Sequence, residues 1–147
     1  MFRKIALALL IVFIAMQFYR PDKNTAEGDV VAAFEAETMP NAAVKTILRQ
    51  NCYDCHSNNT IYPWYAEVAP ISYMIANHVE EGKEHFNVSD WSQWEVKKKD
   101  HKLDELIEEV EEGHMPESSY TWLHGSMSEA DVETLISWAK EARTKLK

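Results

Sequence analysis

The sequence predicts an all-α protein of four to five short helices with aromatic-rich loops between them. Apolar residues recur at helical spacing in successive stretches, and Pro and Gly punctuate the intervals. No segment alternates apolar with polar residues as a half-buried strand would. There are no internal repeats and no low-complexity tract.

From the N-terminus, Arg3 and Lys4 precede an unbroken apolar run, Ile5 to Met16. As a helix this run spans only ~18 Å against a ~30 Å hydrocarbon core, although Met1 to Tyr19 approaches ~28 Å if both cations snorkel. Residues 1–19 are therefore expected to be a signal anchor or a signal peptide, with the basic flank kept in the cytoplasm. That places the protein on the periplasmic side of the cytoplasmic membrane, anchored there, or in the periplasm if the leader is cleaved. The nearest small-x-small stretch, Ala26-Glu27-Gly28, lies well beyond the run, and no Cys follows it to carry a lipid. Residues 20–40 are rich in Ala, Glu and Asp between two prolines and read as a linker. Val30, Val31 and Phe34 could form one docking turn within it.

Residues 41–147 read as the folded domain. Asn41 is placed to cap a helix over Ala42 to Gln50, with Val44, Ile47 and Leu48 on one face. Pro70 suits a first helical turn before Ile71, Met74, Ile75 and Val79, and Gly82 is expected to end that helix. Leu103, Leu106, Ile107 and Val110 form a third stripe, closed by Gly113. Ser128 and Asp131 make a capping box before Val132, Leu135, Ile136 and Ala139. The loops hold Tyr62, Trp64, Tyr65, Trp91, Trp94, Tyr120 and Trp122. So many aromatics around brief helices suit a large, flat, apolar occupant, or simply pack on one another.

The chain has 147 residues, a formal charge of −9 and a pI near 5.1, which argues against a nucleic-acid binder needing a basic face. Its two cysteines sit three positions apart, so a disulfide between them would close almost no loop. Cys52-Tyr53-Asp54-Cys55-His56 instead has the C-x-x-C-H spacing that holds a c-type haem: two thioether bonds to the porphyrin vinyls, with the adjacent imidazole reaching the iron. A thioredoxin-like site would need a preceding strand, and a structural zinc site would need two further ligands. One covalently attached haem is the expected cofactor, with His56 as an axial ligand.

Met115, followed by Pro116 in a loop 59 residues after His56, is the leading candidate for the second axial position. His114 and His124 flank the same loop as alternatives, while His78, His85 and His101 read as surface residues. The outer ring nitrogen of His56 should donate to a carbonyl, with Pro70 or Pro63 as the guess. Arg49, Lys45, Trp94 and Tyr120 are candidate propionate donors, and Trp64, Tyr65 and Tyr120 are candidate cofactor contacts.

A helix, C-x-x-C-H, a Met-Pro loop and a capped C-terminal helix together resemble a class I c-type cytochrome. More narrowly, the string from Asn51 to Thr60, Tyr62-Pro-Trp-Tyr65, Ala69-Pro-Ile-Ser72, Glu81-Gly82, Asn87 to Trp91, Gly113-His-Met-Pro116, Tyr120, Leu123-His124 and Trp138 resemble the bacterial haem-binding domain family. The resemblance covers about residues 41 to 140. It implies a cytochrome-like α fold and one haem in an exported protein, without a defined reaction.

Leu103 to Glu117 carries seven acids and no Lys or Arg, a solvated face or a docking surface for a basic redox partner. The expected function is an exported or membrane-tethered single-electron carrier rather than an enzyme. A gas or redox sensor with a displaceable Met ligand and a peroxidase-like haem enzyme with an open distal site are the alternatives.

Overall fold

The computed structural model describes residues 1–146. Those residues form an all-helical fold with one isolated bridge, Thr25 to Asn59, as their only β pairing. The helices are α1 (Phe2–Met16), α2 (Ala32–Thr38), α3 (Ala42–Asn51), α4 (Tyr53–His56), α5 (Ile71–His85), α6 (Val96–Glu111), α7 (Ser118–His124) and α8 (Glu129–Lys145). Two short 3₁₀ segments, Trp64–Glu67 and Val88–Gln93, complete the path.

Capping chemistry sets the ends of α3 and α8. The Asn41 side chain accepts from the Val44 amide at 3.0 Å. Ser128 and Asp131 exchange side-chain and backbone bonds as a complete capping box. α6 begins seven residues before its apolar stripe, in Lys97, Lys98 and Lys99, which have no apolar periodicity to announce a helix. Lys99 is buried there because its ammonium meets Glu37 at 2.6 Å. Gly113, at φ +74°, turns the chain out of α6 in the left-handed region, which lets the Met115 loop follow.

α5 runs through Gly82 instead of stopping there. A Cβ at Gly82 would lie 2.8 Å from the Cys55 carbonyl oxygen. The glycine therefore serves close approach between α5 and α4, not termination.

Residues 20–40 are packed into the domain at two places. Asn24 donates to the Ser57 carbonyl at 2.8 Å and to Thr60 Oγ1 at 2.9 Å, and accepts from Lys83 at 2.7 Å. Further on, α2 carries Phe34, fully buried, at the centre of an aromatic cluster. Its ring meets Trp91 at 4.9 Å, Trp138 at 5.9 Å, Phe86 at 6.2 Å and Tyr53 at 6.4 Å, all edge-on. The docking turn expected at Val30, Val31 and Phe34 is thus a central element of the core.

No helix among the described residues is long and apolar enough to cross a membrane. α1 has 15 residues, ~22 Å, against a hydrocarbon core of ~30 Å. Just past its end, the Gln17 side chain reaches the domain. The Gln17 amide oxygen accepts from the Ala69 N–H at 3.0 Å, and its nitrogen donates to the Ala69 carbonyl at 3.2 Å. Tyr73 adds a hydrogen bond to the Met16 carbonyl, and Arg20 pairs with Glu67 at 3.2 Å. This corrects the expectation that residues 1–19 anchor the chain at the periplasmic side of the cytoplasmic membrane.

Candidate cofactor-binding site

α4 carries the C-x-x-C-H residues, and α5, α6, α7 and the loop between α6 and α7 enclose the space in front of it. The result is a mainly apolar cavity of about 640 Å³, inside the range of about 300–1,000 Å³ usual for cofactor sites. Cys52, Cys55 and His56 line it together with Tyr65, Met115 and Tyr120. Leu48, Ile75, Val79, Leu106 and Leu135 supply apolar surface around them.

Burial acts on the motif residues in a consistent direction. It is the main cause pushing the Cys52 thiol up to about 12, with the Cys55 charge adding to it. Cys55 rises to about 11 for the same main reason, with Asp54 and Glu117 nearby. Both are therefore neutral thiols near pH 7. Burial is also the largest influence on His56 and lowers its pKa, against the carbonyls of Phe86 and Gly82, which favour the charged ring. The imidazole thus stays neutral, the form that ligates a metal.

His56 Nδ1 lies 2.9 Å from the Phe86 carbonyl oxygen. A carbonyl can only accept, so Nδ1 carries the proton and donates, leaving the Nε2 lone pair free. The expected partners Pro70 and Pro63 are replaced by Phe86, just past the C-terminal end of α5. Phe86 is itself held by its N–H bond to the Gly82 carbonyl at 2.9 Å and by ring contacts with Phe34 and Trp94. Neither the His56–Phe86 bond nor the Phe34–Phe86 contact is readable along the chain, because each joins residues some thirty or more positions apart.

On the opposite side, the amides of His114 and Met115 both donate to the Glu109 carbonyl, at 2.9 and 3.0 Å, which fixes the start of the loop. Met115 lines the cavity and is 38% exposed. His114 turns outward to Glu109 and Glu112 and takes no part in the lining. His124 does reach the rim, but both its ring nitrogens are engaged. Nδ1 donates to the Tyr120 carbonyl at 3.1 Å, and Tyr65 donates its hydroxyl to Nε2 at 2.8 Å. The His124 ring stacks on Tyr120 at 4.1 Å, and the Tyr120 hydroxyl donates to the Gln50 carbonyl at 2.6 Å. Tyr65 and Tyr120 thus frame the mouth through this network.

Other expected contacts are differently disposed. Trp64 is exposed and absent from the lining, and Trp91 and Trp94 belong to the aromatic core. Lys45 and Arg49 turn away to Glu35, at 2.6 and 3.8 Å. The polar groups that do line the cavity include Lys102, His78, His85 and Ser119, none of them anticipated as cofactor contacts. His78 pairs with Glu117 at 3.2 Å, while the Ser119 hydroxyl is buried with no hydrogen-bond partner. Helical spacing from the Met-Pro loop could have suggested Ser119; nothing in the sequence marks Lys102.

Two thiols, an imidazole with one nitrogen already tied and a thioether, all on one apolar cavity, form a donor set that fits haem. Among the described residues no three His, Cys, Asp or Glu side chains gather as a bare-metal site. Fold and cavity together define a small all-α cofactor-binding protein. The family model for a haem-binding domain matches residues 11–141, and the chain belongs to that family. It is accordingly a haem-binding protein. No curated protein and no solved structure matches the chain.

Proposed function

We propose that this protein is a monohaem c-type cytochrome that carries single electrons. The observation that supports the reading best is the convergence of Cys52, Cys55, His56 and Met115 on one cavity, with His56 Nδ1 tied to the Phe86 carbonyl. Bound there, haem supplies one-electron ferric–ferrous chemistry. Cys52 and Cys55 would hold it by thioether bonds, each thiol adding its S–H across a vinyl group. His56 Nε2 and the Met115 thioether would be the iron's protein ligands, and the Phe86 carbonyl keeps the imidazole electron-rich and oriented. Ligated by both residues, the haem would leave no open position for a substrate, which favours a carrier over an enzyme.

Replacing Cys52 or Cys55 with Ser in protein made alongside a haem-attachment system is expected to leave haem extractable by acidified solvent, or lost. Fully retained haem after extraction overturns the covalent assignment. Met115→Ala is expected to open the sixth position, alter the ferric absorption spectrum and lower the reduction potential. An unchanged spectrum and potential would move the ligand to another residue, with His124 next. The partial exposure of Met115 favours a second reading, a gas-responsive module whose Met ligand is displaced. Carbon monoxide binding to the reduced wild-type protein selects that reading, and its absence selects the carrier.

A further inference from the structure

Two tryptophans stand in water beside the cavity mouth: Trp64 is 81% and Trp122 92% exposed. Each adjoins a lining residue in the chain, Tyr65 and Leu123, and the two segments meet where Tyr65 donates to His124. Ile61 and Leu123 line the cavity and are also exposed, so the apolar surface runs from the opening onto its rim. Large aromatics left bare in one place mark recognition surfaces, and Trp is prominent among the residues that dominate interface energetics.

Asp54, Glu108, Glu109 and Glu117 also line the cavity, the three glutamates at exposed positions. Among the described residues, Glu109 and Glu117 pair with His114 and His78, not with Lys or Arg. Indole faces and carboxylates select the same chemistry, since both attract Lys and Arg. The fold contains its own example of that pairing. Lys99 lies 5.4 Å from the Trp91 ring centroid while its ammonium meets Glu37 at 2.6 Å, and Lys98 stands 4.4 Å over Trp94. At the mouth the one lysine of the lining, Lys102, is taken by Glu105 at 2.5 Å, which leaves the indoles and the other carboxylates without a Lys or Arg partner among the described residues.

We infer that the mouth is a docking face for a partner protein that presents Arg and Lys side chains, gripped by Trp64 and Trp122 and steered by the surrounding carboxylates. The exchange of electrons across this face rests on the carrier reading; the binding itself does not. The same carboxylates repel an anionic lipid surface.

The test uses the haem-loaded full chain and calorimetric titration with a peptide of alternating Arg and Gly. Binding is expected, weakening as salt rises. Trp64→Ala and Trp122→Ala, both at exposed positions, are each expected to reduce affinity by about 2- to 30-fold with an unchanged absorption spectrum. No binding, or binding insensitive to both replacements, overturns the docking face. So do tryptophan-dependent binding to phosphatidylcholine vesicles and tryptophan-dependent self-association in sedimentation, which would give the face to a lipid or to a second copy. Haem content, read from the spectrum of the same samples, reports separately on the cytochrome reading.

Discussion

Phe34→Ala is expected to destabilise the protein by about 3–5 kcal/mol, the range for removing a fully buried aromatic from a core that cannot close around the void. Collapse is difficult here because four rings, those of Tyr53, Phe86, Trp91 and Trp138, lean edge-on against the vacated position from three different helical segments and the chain beyond α5. The edge-to-face contacts themselves add about 0.5–1.5 kcal/mol each beyond burial. The effect reaches the site because Phe86, whose carbonyl holds His56, loses one of its three ring contacts and keeps only those to Trp94 and His56. A loosened acceptor makes the imidazole a weaker donor, so the reduction potential of the loaded variant is expected to rise. Denaturant unfolding followed by circular dichroism measures the first effect, and a spectroelectrochemical titration the second. Phe34→Leu, which keeps most of the volume, should recover much of both. A stability within about 1 kcal/mol of wild type for the alanine variant would show that the cluster does not depend on Phe34.

Gly82→Ala is expected to be destabilising although it lies inside a helix, where exchanging Gly for Ala ordinarily gains about 0.5–1 kcal/mol. The opposing term is steric. The new methyl would meet the Cys55 carbonyl oxygen at 2.8 Å and the Cys55 Cβ at 3.1 Å. The oxygen belongs to backbone and cannot swing aside by a rotamer change, so α4 and α5 must separate, at a cost of about 1–3 kcal/mol. The clash therefore outweighs the propensity gain. Separation moves Cys55 and His56 together, and the measurable outcome is a lower ratio of covalent haem to polypeptide in co-expressed protein. Gly82→Val should be worse again. Wild-type haem loading and stability in Gly82→Ala would show that the two helices have slack between them.

Local signals in the sequence identified much of this molecule. The Asn41 cap and the Ser128–Asp131 box are chemistry between residues three apart, and both are present where expected. C-x-x-C-H and Met115-Pro116 are likewise short strings, and the fold brings both onto one cavity. What sequence reading missed is non-local. α2 shows no sustained apolar stripe, since one seven-residue helix contributes a single fully buried ring, and Phe34 matters through partners as far away as Trp138. Gly82 resembled a helix stop because termination and close approach use the same residue. The start of α6 was hidden because Lys99, a polar residue by type, is buried by pairing with Glu37 on α2. The acceptor for His56 was placed in the wrong loop because a carbonyl has no sequence signature at all.

Gln17 holds one peptide unit, that of Ala69, by donating to its oxygen while accepting from its nitrogen. Two such bonds to one planar group remove rotation as well as translation. Together with the Tyr73 bond to the Met16 carbonyl, they fasten the end of the apolar N-terminal helix to the start of α5, one of the cavity's walls. A residue some fifty positions upstream thus helps to hold the segment between Tyr65 and Ile71, both of which line the opening.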